Sequence, residues 1–173
     1  MNHRTMIAVA ISLGAMLSVA LPPMLIARTG TIAYLETQKM DPRSLFRGDY
    51  VILGYLRAQD IVPNDMARQA ADESRPVYVT FTTERPGAFV GVSLERPQVA
   101  DGQVCIAGRV RRFRRQPDGA ESRNFSVDFP QIAQYFVPEG EGRELEQQRG
   151  EGLLARVAVS RGCDAVLLGL EAR

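Results

Sequence analysis

His3 is the only histidine and Lys39 the only lysine of the 173 residues. The chemistry open to the chain therefore runs through carboxylates, tyrosines, arginines and two cysteines. Imidazole acid/base work, histidine metal sites and serine–histidine triads all need a ring nitrogen that the body of the chain does not possess. A carboxylate pair remains: Asp49 and Glu139, with Tyr50 beside the first, would serve a glycan-type hydrolysis if both lined one cleft about 5–10 Å apart. Arg43, Arg47, Asp49, Tyr50, Tyr55 and Glu139 also suit a polar platform that docks on a partner.

Other constellations are weaker. Glu139, Glu141 and Glu144 offer hard oxygen ligands for calcium, but their spacing follows no calcium-loop signature. Carboxylates crowding the start of a helix explain them as well. Cys105 and Cys163 lack C-x-x-C spacing and a histidine partner, so catalysis and metal binding are not expected of them. A disulfide between them requires Cα atoms within about 7 Å and an oxidising compartment. Arg109, Arg111, Arg112, Arg114 and Arg115 crowd one strand, where charge blocks edge-to-edge association opposite Asp118 and Glu121. Contact with anionic headgroups or an acidic partner is the functional alternative.

The elements that must position these residues come after an apolar start. Met6 to Ala27 carries no charge, and as a helix it extends about 33 Å, enough to span a bilayer. Ser18-Val19-Ala20 offers a signal-peptide cleavage site, but the apolar run continues past it through Ile26, further than secretion requires. The expectation is a retained anchor over residues 1–28, bent or ended by Pro22-Pro23, and one domain over residues 29–173. Lysines and arginines near the span are more numerous on the carboxyl-terminal side. A domain of this size translocates largely regardless of its charges, so the amino terminus is placed inside and the domain outside. Beyond residue 27 basic and acidic side chains balance, which argues against nucleic-acid binding.

The domain reads as mainly β (α+β), an antiparallel barrel or curled sheet of about nine strands with one or two short helices. Strands are expected over Thr31–Gln38, Tyr50–Arg57, Val77–Thr82, Ala88–Glu95, Val104–Arg115, Phe125–Phe129, Leu153–Ser160 and Ala165–Leu170. Val77, Val79 and Phe81 alternate with Tyr78, Thr80 and Thr82, one face dry and the other wet. Turns fall at Arg85-Pro86-Gly87, Pro117-Asp118-Gly119 and Arg161–Asp164. Ile61–Ser74 reads as a short helix or ordered loop, and Glu141–Glu151 as an exposed helix.

Gly48-Asp49-Tyr50-Val51-Ile52-Leu53-Gly54-Tyr55 spells G-D-Y-x-x-L-x-Y, and the chain resembles the bacterial GDYXXLXY family at all defined positions of that motif. The Asp41–Arg47 and Tyr135–Glu146 segments and the apolar start resemble its layout. The resemblance implies a small membrane-anchored protein of unknown activity, of a family often encoded beside a polytopic membrane protein, and it brings no catalytic residue with it. Structurally, the motif reads as a turn at Gly48-Asp49 followed by strand packing through Tyr50, Leu53 and Tyr55. Met40-Asp41-Pro42 with Leu45, Gly48-Asp49 and Val51 is also similar to the nucleophile segment of signal peptidases. Lys39 stands where that family has its serine, the Pro42–Gly48 spacing is one residue longer, and no second lysine exists as base.

The reading drawn is a non-enzymatic accessory or interaction subunit of a membrane complex. It is anchored in the bacterial inner membrane through residues 6–27 with its domain in the periplasm, uses no cofactor and no metal, and has a polytopic membrane protein as its expected partner. The alternative is a cell-envelope hydrolase using Asp49 and Glu139.

Overall fold

The computed structural model describes residues 3–37, 50–55, 62–112, 125–136 and 153–173. In chain order these form α1 (His3–Thr29), β1 (Thr31–Glu36), β2 (Tyr50–Ile52), α2 (Asn64–Asp72), β3 (Pro76–Thr82), β4 (Phe89–Ser93), β5 (Gln103–Arg112), β6 (Phe125–Asp128), β7 (Gln134–Phe136), β8 (Leu153–Val159) and β9 (Ala165–Ala172). Every strand pairing among the described residues is antiparallel. The strand orders are β1-β8-β9, β4-β3-β5-β6 and β2-β7, and the molecule is mainly β, a curled antiparallel sheet preceded by an apolar helix.

α1 has no buried residue, and it is long and apolar enough to cross a membrane. It runs through Pro22 and Pro23 without ending. Of the bend or end expected there, the end at the proline pair is overturned: proline's fixed φ suits the helix, and only the bonds to the carbonyls of Ser18 and Val19 are forfeited. The end is instead tied off at residues 29 and 30. Thr29 Oγ1 donates to the Leu25 carbonyl at 2.8 Å, and the Gly30 amide donates to the Ile26 carbonyl at 2.8 Å, satisfying carbonyls that the last turn leaves open.

Gly30 is the whole connection between α1 and β1. A Cβ there would lie 2.6 Å from the Ile26 oxygen and 3.0 Å from both the amide nitrogen and the carbonyl oxygen of Val159. Only glycine allows the helix end and the end of β8 to meet this closely.

The core forms where inward-facing positions of the two larger sheets meet. Ala33 and Leu35 of β1, Val77, Val79 and Phe81 of β3, and Ile106 of β5 are buried in one cluster with Val157 of β8. Their period-two spacing is what strand geometry requires of one apolar face. α2 closes the cluster with Ala67 and Ala70, its small side chains letting the helix approach closely.

Joints at the β3–β4 turn and at the β8–β9 turn help to hold the sheets against each other. At one, the Gly87 amide of the β3–β4 turn donates to the Tyr34 carbonyl at 2.7 Å, and a Cβ at Gly87 would lie 3.0 Å from that oxygen. At the other, Cys105 of β5 and Cys163 of the β8–β9 turn form a disulfide with Cα atoms 4.9 Å apart, while the Ala107 amide donates to the Cys163 carbonyl at 2.9 Å. The disulfide explains one departure from strict alternation. Thr80 is buried although expected on the wet face, because it pairs with Cys105, whose outward side is covered by the β8–β9 turn.

Candidate functional site

The described part of the motif is built against the segment from Phe129 to Phe136. Tyr50, Val51 and Ile52 pair with Phe136, Tyr135 and Gln134, so the expected strand shortens to Tyr50–Ile52 before the chain turns inward. The Leu53 amide donates to the Ala133 carbonyl at 2.8 Å, and Leu53 joins the core. Tyr55 is 8% exposed; its hydroxyl donates to the Ile132 carbonyl at 2.7 Å. Phe129 stands edge-on to Tyr55 at 5.9 Å and to Phe81 at 6.3 Å, spacings at which aromatic pairs attract beyond their buried area. Burial away from water disfavours the phenolate, so the Tyr55 hydroxyl is held well above its ordinary pKa. At neutral pH it is a fixed donor, not an acid or base.

Tyr55 also forms one wall of a cleft. Leu35, Phe81, Ala88 and Phe89 supply further apolar surface, Pro86 and Gly87 close one side, and Glu36 contributes the carboxylate. The space is about 230 Å³, below the roughly 300–1,000 Å³ of small-molecule sites. A space of that size holds one or two amino-acid side chains. Glu36 is already engaged, 3.1 Å from the Arg173 guanidinium.

An ionic lattice adjoins the cleft. Arg85, in the turn beside it, lies 4.9 Å above the Tyr34 ring, pairs with Glu171 at 3.1 Å and donates to the Ala172 carbonyl at 3.0 Å. Arg156 approaches the same Glu171 at 3.9 Å. These contacts fix the turn carrying Pro86 and Gly87 over the far end of β9, so the cleft wall is braced from outside.

Of the residues singled out from the sequence, Tyr55 is placed in the core with its hydroxyl engaged, and Tyr50 is placed on β2. Arg43, Arg47, Asp49 and Glu139 lie outside the described residues, as do the Gly48-Asp49 and Pro117–Gly119 turns and the Glu141–Glu151 helix. The calcium ligand set of Glu139, Glu141 and Glu144 lies outside as well. The arginine-rich strand is described as far as Arg112. Arg109 and Arg111 are exposed, and Arg111 pairs with Asp128 on β6.

Sequence reasoning did not reach Gln131, which clamps the two sheets: its Nε2 donates to the Ala107 carbonyl at 3.3 Å, and its Oε1 accepts from the Ala165 amide at 2.6 Å. A lone glutamine after a proline carries no local signal of such a role. The cleft was equally hidden, since Leu35 and Phe89 meet only through the Gly87–Tyr34 joint.

An apolar helix, a curled antiparallel head and a small cleft at the end of a G-D-Y-x-x-L-x-Y stretch define a β-rich head carried on a helix compatible with membrane anchoring. The sequence model of the family described as GDYXXLXY protein matches residues 12–170, and the chain belongs to that family. No curated protein and no solved structure matches it.

Proposed function

We propose that the protein is an accessory or interaction subunit of a complex in the bacterial inner membrane, held by α1 with its head on the periplasmic side and acting by binding, not by catalysis. The observation that carries this reading is α1, apolar and fully exposed along its spanning window and joined to the head by one glycine. A helix of that kind needs lipid or a partner's membrane helices to cover it. The Cys105–Cys163 disulfide supports the outward orientation, because such bonds persist in oxidising compartments and are rare where thiols are kept reduced. The cleft beside Tyr55 supports binding. Its apolar walls and paired carboxylate suit an inserted side chain, and a polytopic membrane protein is the partner this placement favours.

Protease added to spheroplasts tests the orientation. Digestion of the head without lysis is expected, and full protection would reject the periplasmic placement. A mature chain beginning at Leu21 would remove the anchor. Crosslinking in native membranes followed by denaturing capture tests the role. A specific integral membrane protein should be recovered, and its loss on Phe89→Asp, at an exposed position of the cleft, with the fold retained would locate the contact at the cleft.

A further inference from the structure

We infer that Arg28 and Arg161 form a two-guanidinium seat that rests the head directly on phospholipid phosphates. The inference rests on the proposed anchoring by α1 and goes beyond it by fixing which face of the head meets the bilayer and through what chemistry.

Lengths decide the placement. The uncharged run from Met6 to Ala27 extends about 33 Å as a helix, against a hydrocarbon core of about 30 Å. Its carboxyl-terminal end therefore coincides with a hydrocarbon boundary, and Arg28, exposed in the last turn of α1, stands just beyond it. The Gly30 contact brings Val159 to that same level, since its amide and carbonyl lie 3.0 Å from where a Gly30 Cβ would be. Arg161 follows two residues later, at most about 7 Å of chain away. Each headgroup layer is roughly 5–8 Å thick, so Arg161 comes within reach of it, and the tilt of the head, which the two guanidinium groups bias, decides whether the turn seats there.

The turn that carries Arg161 is rigid. Ser160 Oγ accepts from the amides of Gly162 and Asp164, each at 3.1 Å, and the Ser160 amide donates to the Asp164 carbonyl at 2.8 Å. Cys163, in the left-handed region at φ 67°, is pinned by its disulfide to β5. Arg161 is exposed on this frame, and Asp164 is the exposed acid of the same turn. A planar guanidinium presented from a fixed turn suits bidentate contact with phosphate. Two of them beside an anionic surface reinforce each other.

The chain contains no tryptophan, so a single introduced indole reports its own depth. The full chain carrying Asp164→Trp is reconstituted into vesicles of phosphatidylglycerol mixed with phosphatidylcholine brominated close to the headgroup. Ala172→Trp, at the other end of β9, serves as the reference. Quenching at position 164 at least about twofold stronger than at position 172 is expected, and it should fall by about half when Arg28→Gln and Arg161→Gln are added. Quenching unchanged by the two glutamines overturns the seat. A chain that resists carbonate extraction but shows no quenching at position 164 overturns the seat and leaves the anchor standing. A chain released by carbonate overturns the anchor, and the seat with it.

Discussion

The hydroxyl of Tyr55 and the carbonyl of Ile132 are bonded across 77 residues of sequence at 2.7 Å, inside a wall from which water is excluded. This bond joins the last residue of the motif to the segment that also receives Leu53. Tyr55→Phe keeps the ring and strands the carbonyl, so it should cost about 1–2 kcal/mol. Tyr55→Ala also empties the space beside Phe129 and should cost about 3–5 kcal/mol. Urea unfolding of the full chain in detergent checks both. A Tyr55→Phe variant as stable as the parent would show that the bond contributes nothing.

The same residue sets a response to alkali. Burial raises the folded pKa of Tyr55 above the ordinary phenol value of about 10. Its stabilising contribution is complete below the unfolded value and is lost as pH climbs from there toward the folded one, because the unfolded chain releases the proton first. The parent should lose about 1.4 kcal/mol per pH unit above about pH 10 relative to Tyr55→Phe. Parallel stability curves for the two chains would contradict this.

Cys105 and Cys163 are separated by 58 residues. Closing a loop of that length restricts the unfolded chain by about 4 kcal/mol in a chain-entropy account. Replacing both cysteines by alanine should therefore lower stability by about 2–5 kcal/mol. Both residues are buried, so native protein should resist alkylation until it is reduced and denatured together, which mass spectrometry reads directly.

Gly30→Val drives side-chain atoms into the Ile26 carbonyl and the backbone of Val159, and an overpacked contact of this kind costs about 1–3 kcal/mol. Proteolysis should become faster at the helix–strand junction. By contrast, Asp128→Asn removes the partner of Arg111, whose side chain is 71% exposed, and should cost under about 1 kcal/mol, less still in salt.

Local patterns carried most of the element order. Val77, Val79 and Phe81 announce β3 by spacing alone, and Arg85-Pro86-Gly87 and Arg161–Asp164 mark the turns of hairpins that form as expected. The helix over Asn64–Asp72 falls inside the segment read as helix or loop. Pairings between distant segments were not legible: β1 lies against β8, and β2 against β7, because periodicity names the buried face of a strand but not its neighbour. Pro22-Pro23 misled only where the pair was read as an end, since an exposed apolar helix tolerates it. For the site, packing by Leu53 and Tyr55 was foreseeable from their types. The Tyr55 hydroxyl bond and the Gln131 clamp depend on groups far away in the chain, and nothing adjacent to them in sequence points there.

The single-residue joint at Gly30 leaves no slack between rod and head. Closed in by the Ile26 carbonyl and the Val159 backbone, that glycine sets the direction in which β1 departs from the rod, and β8, paired along all of β1, takes the same bearing.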